Sequence, residues 1–328
     1  FISCSSEVTQ LTVVSDSRSR VSPPDEKWPC FQLEWHNGSS RCEERFDAVC
    51  VCNGHHESPS IPTLPGMEHF GGTVMHSVAY DDPSKFKDQT VLCIGGRASG
   101  LDIAKEISQY AEHVYVSDAE AKECKTVGKV THTPRTLGAD PSGRIKFGHN
   151  AEVSPNVDCI VFCTGYDYSF PFINDESKLD LSFVPGERRV MPLYRQLWHA
   201  QYPNLSFVGL QHSILPFPLF ELQTEAIVAQ FKDWRLPSRK ERETSAHEDS
   251  LSGGAKKSGL PKHTHYLGSA QWEYHREMAE LGGVLDASME HFIATNEVRA
   301  VRNRRRHCCG SVFADVCDIR CYFAKDHV

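Results

Sequence analysis

The chain has 328 residues, 40% hydrophobic and 24% charged, the make-up of an ordinary globular protein with enough core for about two domains. A net charge of −8 argues against a nucleic-acid binder, and the basic cluster Arg302, Arg304, Arg305 and Arg306 reads as a solvated tail. No apolar run reaches the roughly 18 residues of a membrane span, the opening residues lack the form of a signal peptide, and residue 1 is Phe1, so a cytoplasmic fragment is expected.

Gln10 to Val14 and Phe31 to Trp35 read as strands. The second alternates with period two and runs into Asn37-Gly38, a hairpin signal. Phe46 to Cys52 is a nearly continuous apolar run, as expected of a strand covered on both faces. Pro59, Pro62 and Pro65 force an extended connector. Thr90 to Ile94 is a buried strand, Leu101 to Tyr110 a helix and Val114 to Val116 the next strand. That order opens a βαβ unit and implies a parallel sheet. Asp140-Pro141-Ser142-Gly143 is a turn, and Arg144 to Phe147 alternates like a strand. Val157 to Cys163 is an apolar strand running into Thr164-Gly165-Tyr166. Leu205 to Leu210 is a further strand, and a helix runs from Phe217 to about Trp234. Pro237 to Lys262 is polar and reads as an exposed linker. Gln271 to Leu281 is a helix. Beyond Asn303 no pattern is usable, and the chain has no internal repeat.

The 13 cysteines contain no C-x-x-C, so neither a zinc pair nor a thioredoxin-like redox pair is indicated. Cys93, Cys159 and Cys163 sit in apolar runs, where a free thiol behaves as a small buried hydrophobe. Cys308, Cys309, Cys317 and Cys321 show no other sign of a compact metal site. A reduced compartment is expected.

Between the first buried strand and its helix lies Gly95-Gly96-Arg97-Ala98-Ser99-Gly100. A turn of this kind holds a pyrophosphate because backbone N–H groups and a helix N-terminus point at it. Glycine is required where a Cβ would block the turn or the phosphates. In G-x-G-x-x-G register Gly95 and Gly100 hold the first and third places. Arg97 holds the second, a departure whose guanidinium is available to pair with the pyrophosphate. Strand, turn, helix and next strand together indicate a dinucleotide site. Ser117-Asp118 ends that next strand. An acidic residue there accepts the ribose 2′-OH of NAD, whereas an arginine favours the 2′-phosphate of NADP. Asp118 is therefore either a ribose ligand, with Lys122 and Lys125 close enough to compensate, or a solvated turn residue.

Phe70, Gly72, His76 and Tyr80 have the spacing F-x-G-x-x-x-H-x-x-x-Y. Thr164-Gly165-Tyr166-Asp167 and Pro216-Phe217-Pro218-Leu219-Phe220-Glu221-Leu222-Gln223 follow. Tyr266-Leu267-Gly268 and Gln271-Trp272-Glu273-Tyr274 come last. In these motifs and their order, from near Phe1 to about Gly283, the chain resembles the flavin-containing monooxygenases, notably plant-type and fungal-type members. The resemblance implies an α/β fold, a flavoprotein of two dinucleotide-binding domains with Rossmann-like parallel sheets. It implies FAD and NADPH as cofactors and activity of the N,N-dimethylaniline monooxygenase type. In that chemistry O2 is activated as a C4a-hydroperoxyflavin that oxygenates a soft nitrogen or sulfur of a small molecule. The resemblance places Gly95, Gly96, Arg97, Ala98, Ser99, Gly100, Ser117, Asp118, Asn53, Thr164, Gly165, Glu221 and Gln223 at the cofactors. It makes His76 a positioning residue where the FAD and NADPH domains meet, and it assigns no catalytic side chain and no metal.

The expected division is 1–80 for part of the FAD domain with the fingerprint, 81–163 for the NADPH domain, 164–236 for the return to the FAD domain, 237–262 for the linker and 263–328 for a helical region and tail. Within it, Phe86 to Asp158 is expected to form a compact inserted unit. The family also carries a glycine-rich FAD turn and an active-site Asn ahead of the matched part, and neither is found in this sequence. The expectation is thus that the first FAD βαβ unit is missing and that the chain binds NADPH but not FAD. The alternatives are a non-catalytic NADPH-binding remnant and a Baeyer–Villiger monooxygenase, whose fingerprint commonly ends in Trp where Tyr80 stands. A flavin-dependent disulfide reductase would need a redox-active pair beside the flavin, and the sequence has no C-x-x-C and no C-x4-C.

Overall fold

The computed structural model describes residues 2–149, 156–183, 186–249 and 264–308. The chain divides into one unit of Phe1–His55 with Asp167–Val328 and a second of His56–Tyr166.

In the first unit, β1 (Ser6–Val14), β2 (Cys30–Asn37) and β3 (Ser40–Phe46) form an antiparallel sheet in that order. Their inward positions bury Leu11, Val13 and Phe31. The expected hairpin is present: Asn37 pairs with Ser40, and Gly38 takes φ +59°, a conformation a Cβ disfavours. The run Phe46 to Cys52 is not one strand. Asp47 accepts both the amide and the Nε of Arg20, each at 2.6 Å, and turns the chain there. A separate short strand, β4 (Val49–Val51), follows, and its middle residue Cys50 is exposed.

The second unit begins with β5 (Ser58–Pro59) and β6 (Thr73–His76). It continues through β7 (Thr90–Ile94), α1 (Ala98–Ile107) and β8 (His113–Ser117), the expected βαβ opening. The helix starts three residues before Leu101, directly out of the glycine turn. The hairpin β9 (Lys125–Val127) and β10 (Val130–Thr133), then β11 (Thr136–Ala139), β12 (Ile145–Phe147) and β13 (Cys159–Phe162), complete it. The main sheet has the order β6-β13-β7-β8-β10-β9. Every neighbouring pair is parallel except β9 with β10. Val91 lies beside Val114 and Cys93 beside Val116, so β7 and β8 are adjacent and parallel as the sequence requires.

The continuous apolar strands have a physical reason. Val91, Cys93, Val114, Val116 and Val161 pack on one face with Ile103, Ala104 and Ile107 of α1. Leu92, Ile94, Ile160 and Phe162 pack on the other with Ile145 and Phe147 of β12. A sheet covered twice leaves no polar face to alternate. Because β6 pairs with β13, the unit starts at His56, upstream of residue 81, and takes in the fingerprint.

The chain leaves through β14 (Tyr166–Asp167) and returns to the first unit. There β15 (Leu193–Tyr194), β16 (Trp198–His199) and β17 (Leu205–Phe207) join β4 in the order β15-β16-β17-β4, with β17 and β4 parallel. Helices α2 (Pro216–Asp233), α3 (Arg239–Asp249), α4 (Gln271–Gly282) and α5 (Ala287–Cys308) follow. Where an exposed linker was expected, residues 239–249 form α3, anchored because Arg242, 1% exposed, reaches Glu26 Oε2 at 2.8 Å. The rest of that stretch to 262, and the Cys309–Cys321 part of the tail, lie outside the described residues. The arginines at 302–306 have only their backbone described, within α5. No described helix is long and apolar enough to cross a membrane.

Candidate nucleotide-binding site

Three glycines shape the end of β7. A Cβ on Gly100 would stand 1.8 Å from the Gly95 carbonyl oxygen, and one on Gly95, at φ +123°, would stand 2.4 Å from the Cys163 carbonyl oxygen. Both clashes are with backbone, so neither position accepts another residue without moving the turn. The Gly95 amide donates to the Ser117 carbonyl at 2.9 Å, fixing the turn to the end of β8. Helix α1 opens on this turn with Arg97 at its N-cap and no side-chain cap. Its first N–H groups, those of Ala98, Ser99 and Gly100, have no helical acceptor, and the helix dipole adds partial positive charge there. That is the chemistry a pyrophosphate requires, so the residues present fit a dinucleotide. Arg97, Ala98 and Ser99 are exposed, and among the described residues no carboxylate forms an ion pair with Arg97.

Asp118 follows β8 and crosses to the same turn. A Cβ on Gly96 would meet Asp118 Cγ at 2.6 Å and Oδ2 at 2.7 Å. The carboxylate also accepts the Glu120 amide at 2.9 Å. Lys122 and Lys125 are exposed, and neither forms an ion pair with it. The charge does reach His132 on β10: burial holds that imidazole below its ordinary range, and Asp118 opposes the shift. The Ser117 side chain has partners that the sequence did not show. It is buried, its Oγ donates to the Pro134 carbonyl at 3.2 Å, and it accepts the Thr136 amide at 2.8 Å. Its side chain ties β8 to β11.

The fingerprint is structural in each of its four residues. Phe70 packs on the cluster around Ile160 and Phe162. Gly72 is required because a Cβ would lie 2.4 Å from the Asp158 carbonyl oxygen. His76, 5% exposed, accepts the Val78 amide at Nδ1 (3.2 Å), which places its proton on Nε2 to donate to the Gly165 carbonyl at 3.0 Å. Tyr166 meets the His76 ring edge to face at 5.0 Å. Thr164 Oγ1 donates to the Ser60 carbonyl at 2.6 Å, and Gly165 also accepts the Ser60 amide at 2.9 Å. Tyr80 donates to Glu106 of α1 at 2.8 Å, and burial and that carboxylate push its phenol well above the ordinary range. His76 thus holds the Thr164-Gly165-Tyr166 exit in place with both nitrogens committed.

In the first unit, Asn53 and Glu221 are exposed, and Asn53 Nδ2 donates to the Ser169 carbonyl at 3.4 Å. Gln223 is fully buried. Its Oε1 accepts the Gly209 amide at 3.1 Å, and its Nε2 donates to Gln211 Oε1 and the Tyr274 hydroxyl at 2.9 and 3.1 Å. Tyr274 in turn donates to the Arg195 carbonyl at 2.8 Å. The P-F-P-x-F-E-x-Q and Q-W-E-Y segments therefore meet in one internal network, which Gln211 joins with no motif to announce it. His55 donates from Nδ1 to the Gly209 carbonyl at 2.8 Å, beside the carboxyl ends of the parallel pair β4 and β17. Among the described residues of this unit no strand runs through a glycine turn into a helix. They do not form a pyrophosphate cradle for FAD. No described cluster of His, Cys, Asp or Glu is suited to a metal.

A doubly covered parallel sheet with a glycine turn at its carboxyl edge defines a dinucleotide-binding protein of the Rossmann type. The model of the flavin-binding monooxygenase-like family matches residues 30–134 and 142–291, and the chain belongs to that family. The family is one of FAD- and NADPH-dependent flavoprotein monooxygenases. The chain is 36% identical over 271 residues to flavin-containing monooxygenase FMO GS-OX5 of Arabidopsis thaliana, covering 79% of this chain and 56% of that one. It is 34% identical over 267 residues to FMO GS-OX-like 2 of the same plant, covering 77% and 54%. The structure of S-allyl-L-cysteine S-oxygenase from Allium sativum is similar with a TM-score of 0.75 and 29% identity, covering 92% of this chain and 66% of that one. The chain spans just over half the length of these curated relatives.

Proposed function

We propose that the chain supplies the NADPH-binding unit of a flavin-dependent monooxygenase that oxygenates a soft sulfur or nitrogen of a small molecule. The observation that carries this reading is the turn at Gly95–Gly100, closed to any Cβ and opening into α1. The amides of the turn and of the first helical residues bind the pyrophosphate. Arg97 lies within reach to pair with it, and Asp118 meets the adenosine ribose. Bound NADPH supplies the hydride for flavin reduction. The fingerprint contributes placement: His76 and Thr164 fix the segment leaving β13, beside the carbonyl that encloses Gly95. The similarity to an S-oxygenase favours a thioether substrate. The overall reaction then takes thioether, O2, NADPH and a proton to sulfoxide, NADP⁺ and water. The buried free thiols of Cys93, Cys159 and Cys163 favour a reducing, cytoplasmic setting.

The test is calorimetric titration of the chain with NADPH, with folding checked by circular dichroism. Gly100→Ala is expected to weaken binding by more than about tenfold, since moving the turn breaks several phosphate contacts at once. Exposed Arg97→Ala leaves the fold intact and is expected to weaken it about threefold to tenfold. Unchanged affinity in both variants, or no binding by the chain itself, overturns the nucleotide site. For the complete protein the readout is sulfoxide formed from S-allyl-L-cysteine with NADPH, and its absence across thioethers overturns the substrate class.

A further inference from the structure

Strand β4 is the end strand of its four-stranded sheet among the described residues. Residues two apart on a strand face the same way. Cys50, at the middle of β4, and Cys52, one residue past its end, therefore share a side, and both are exposed. Their sulfur atoms are 3.6 Å apart. Cys50 lies directly beside Ser206 in the parallel ladder. Ser206 is 1% exposed, and its hydroxyl makes no hydrogen bond to any described nitrogen or oxygen. A buried hydroxyl in that position is a donor waiting for an acceptor.

We infer that Cys50 and Cys52 form a modification site, a dithiol that hydrogen peroxide oxidises to a reversible disulfide, with Cys50 as the attacking sulfur and Cys52 as the resolving one. The proposal does not depend on the nucleotide site. The Cys50 thiol is drawn down to about 7, first by the hydrogen bond from the Cys52 thiol, against the opposing effect of burial, with Ser206 adding to the pull. The Cys52 thiol moves up for the complementary reason. The asymmetry assigns the roles, because the thiolate is the nucleophile.

The chemistry balances. The Cys50 thiolate attacks one peroxide oxygen, the O–O bond breaks, and the departing hydroxide is protonated to water, leaving a sulfenic acid. The Cys52 sulfur then attacks the Cys50 sulfur. The S–O bond breaks, and the hydroxide that leaves takes the Cys52 proton as a second water. Two thiols lose two electrons, and one peroxide becomes two waters. Geometry permits the last step. Cα atoms two apart on a strand are about 6.6 Å apart, at the long end of the disulfide range. Cys52 lies beyond the strand and is followed two residues later by Gly54 at φ +74°, so the adjustment falls outside the ladder.

Half ionisation, set against a few per cent for an ordinary thiol, multiplies the thiolate at pH 7 by about fifteen, and the lower basicity takes back about fivefold. Cys50 should therefore react about threefold faster than ordinary exposed thiols. Cys4 and Cys124, exposed in the same chain, are the internal controls. The experiment treats the reduced full chain with hydrogen peroxide, alkylates with N-ethylmaleimide and analyses the tryptic peptide 46–85, whose only cysteines are Cys50 and Cys52. The expected peptide has lost two hydrogens, takes no maleimide and regains both sites after dithiothreitol. Cys52→Ser should leave Cys50 as a sulfenic acid trapped by dimedone, and Ser206→Ala should slow its oxidation. Cys50 and Cys52 still alkylatable when Cys4 and Cys124 have reacted overturns the proposal. So does a disulfide from Cys50 to another cysteine, or a Cys52→Ser chain with no dimedone adduct at Cys50.

Discussion

The Asp118 carboxylate rests against Gly96, so closely that a Cβ there would lie 2.7 Å from Oδ2. The end of β8 and the glycine turn after β7 are thus one surface. On the proposed reading the ribose lies there with its 2′ substituent toward a negative charge that neither Lys122 nor Lys125 pairs.

It follows that Asp118 disfavours a 2′-phosphate. A pairwise term at such a half-buried site is of order ~1 kcal/mol, about fivefold in affinity. The NADPH to NADH ratio of kcat/KM for flavin reduction in the complete protein is expected to rise about fivefold in Asp118→Arg. With the chain alone, the ratio of the two dissociation constants gives the same answer. An unchanged ratio would place the carboxylate in solvent when the nucleotide binds.

The βαβ order around this turn was legible in the sequence, because glycine spacing and doubly buried strands leave local signals. Strand, turn, helix and next strand fell where the pattern put them. What the pattern did not show were the distant partners of its residues. Ser117 looked like a ribose neighbour, yet Pro134 and Thr136 claim its hydroxyl. Gln223 looked like a cofactor contact, yet Gln211, Tyr274 and Gly209 enclose it. The polar run after Pro237 looked exposed because the helix that forms there is anchored by one arginine, whose acidic partner lies over two hundred residues earlier. Nor did the apolar run at 46–52 show its break, since Asp47 alone marks the turn.

His76 offers a test of placement against chemistry. Replacing it with Ala removes one of the two donors to the half-buried Gly165 carbonyl, which keeps the Ser60 amide, and leaves the Val78 amide to solvent. Each lost bond costs about 0.5–1.5 kcal/mol. The urea midpoint of His76→Ala should fall by an amount equivalent to about 1–3 kcal/mol. NADPH affinity should weaken with it, and it should recover in His76→Gln, which restores one of the two bonds. Full stability together with lost turnover would instead make His76 an acid or base.

Two buried histidines set the acid limit of the first unit. Burial pushes His199 down to about 4 and His265 down to about 3. His199 donates from Nε2 to the Asp180 carbonyl and accepts the Tyr202 amide at Nδ1, so the folded protein holds it neutral. In the unfolded chain both take a proton near pH 6.5. Their folded values lie below that, so the unfolded state binds more protons as pH falls. The stability they confer is complete above about pH 6.5 and is lost progressively toward pH 4. Urea midpoints at pH 7, 5.5 and 4.5 should decline, with a shallower decline in His199→Gln. A flat profile across that window would contradict the assignment of both rings as neutral.

Arg242 and Glu26 provide the sharpest stability test. Arg242 is 1% exposed, and its guanidinium donates to both oxygens of Glu26 at 2.8 and 3.2 Å and to the carbonyls of Ala200 and Pro237 at 3.0 and 2.6 Å. Burial works to raise the Glu26 carboxyl, but hydrogen bonds from Arg242 and Trp28 outweigh it and hold the group below its ordinary value. A depressed carboxyl contributes stability that is present above its unfolded pKa, about 4.3, and lost as pH falls through the folded value. Removing Arg242 strands Glu26, whose side chain is 22% exposed and so partly solvated, at a cost below the about 3–5 kcal/mol of a fully buried pair. Arg242→Ala should therefore lower the urea midpoint far more than Arg239→Ala, which breaks half-exposed contacts to Glu243 and Gln201 worth about 1 kcal/mol. Glu26→Gln should remove part of the stability change between pH 5 and pH 3. Equal midpoints for the two arginine variants would mean that α3 is held by its apolar contacts alone.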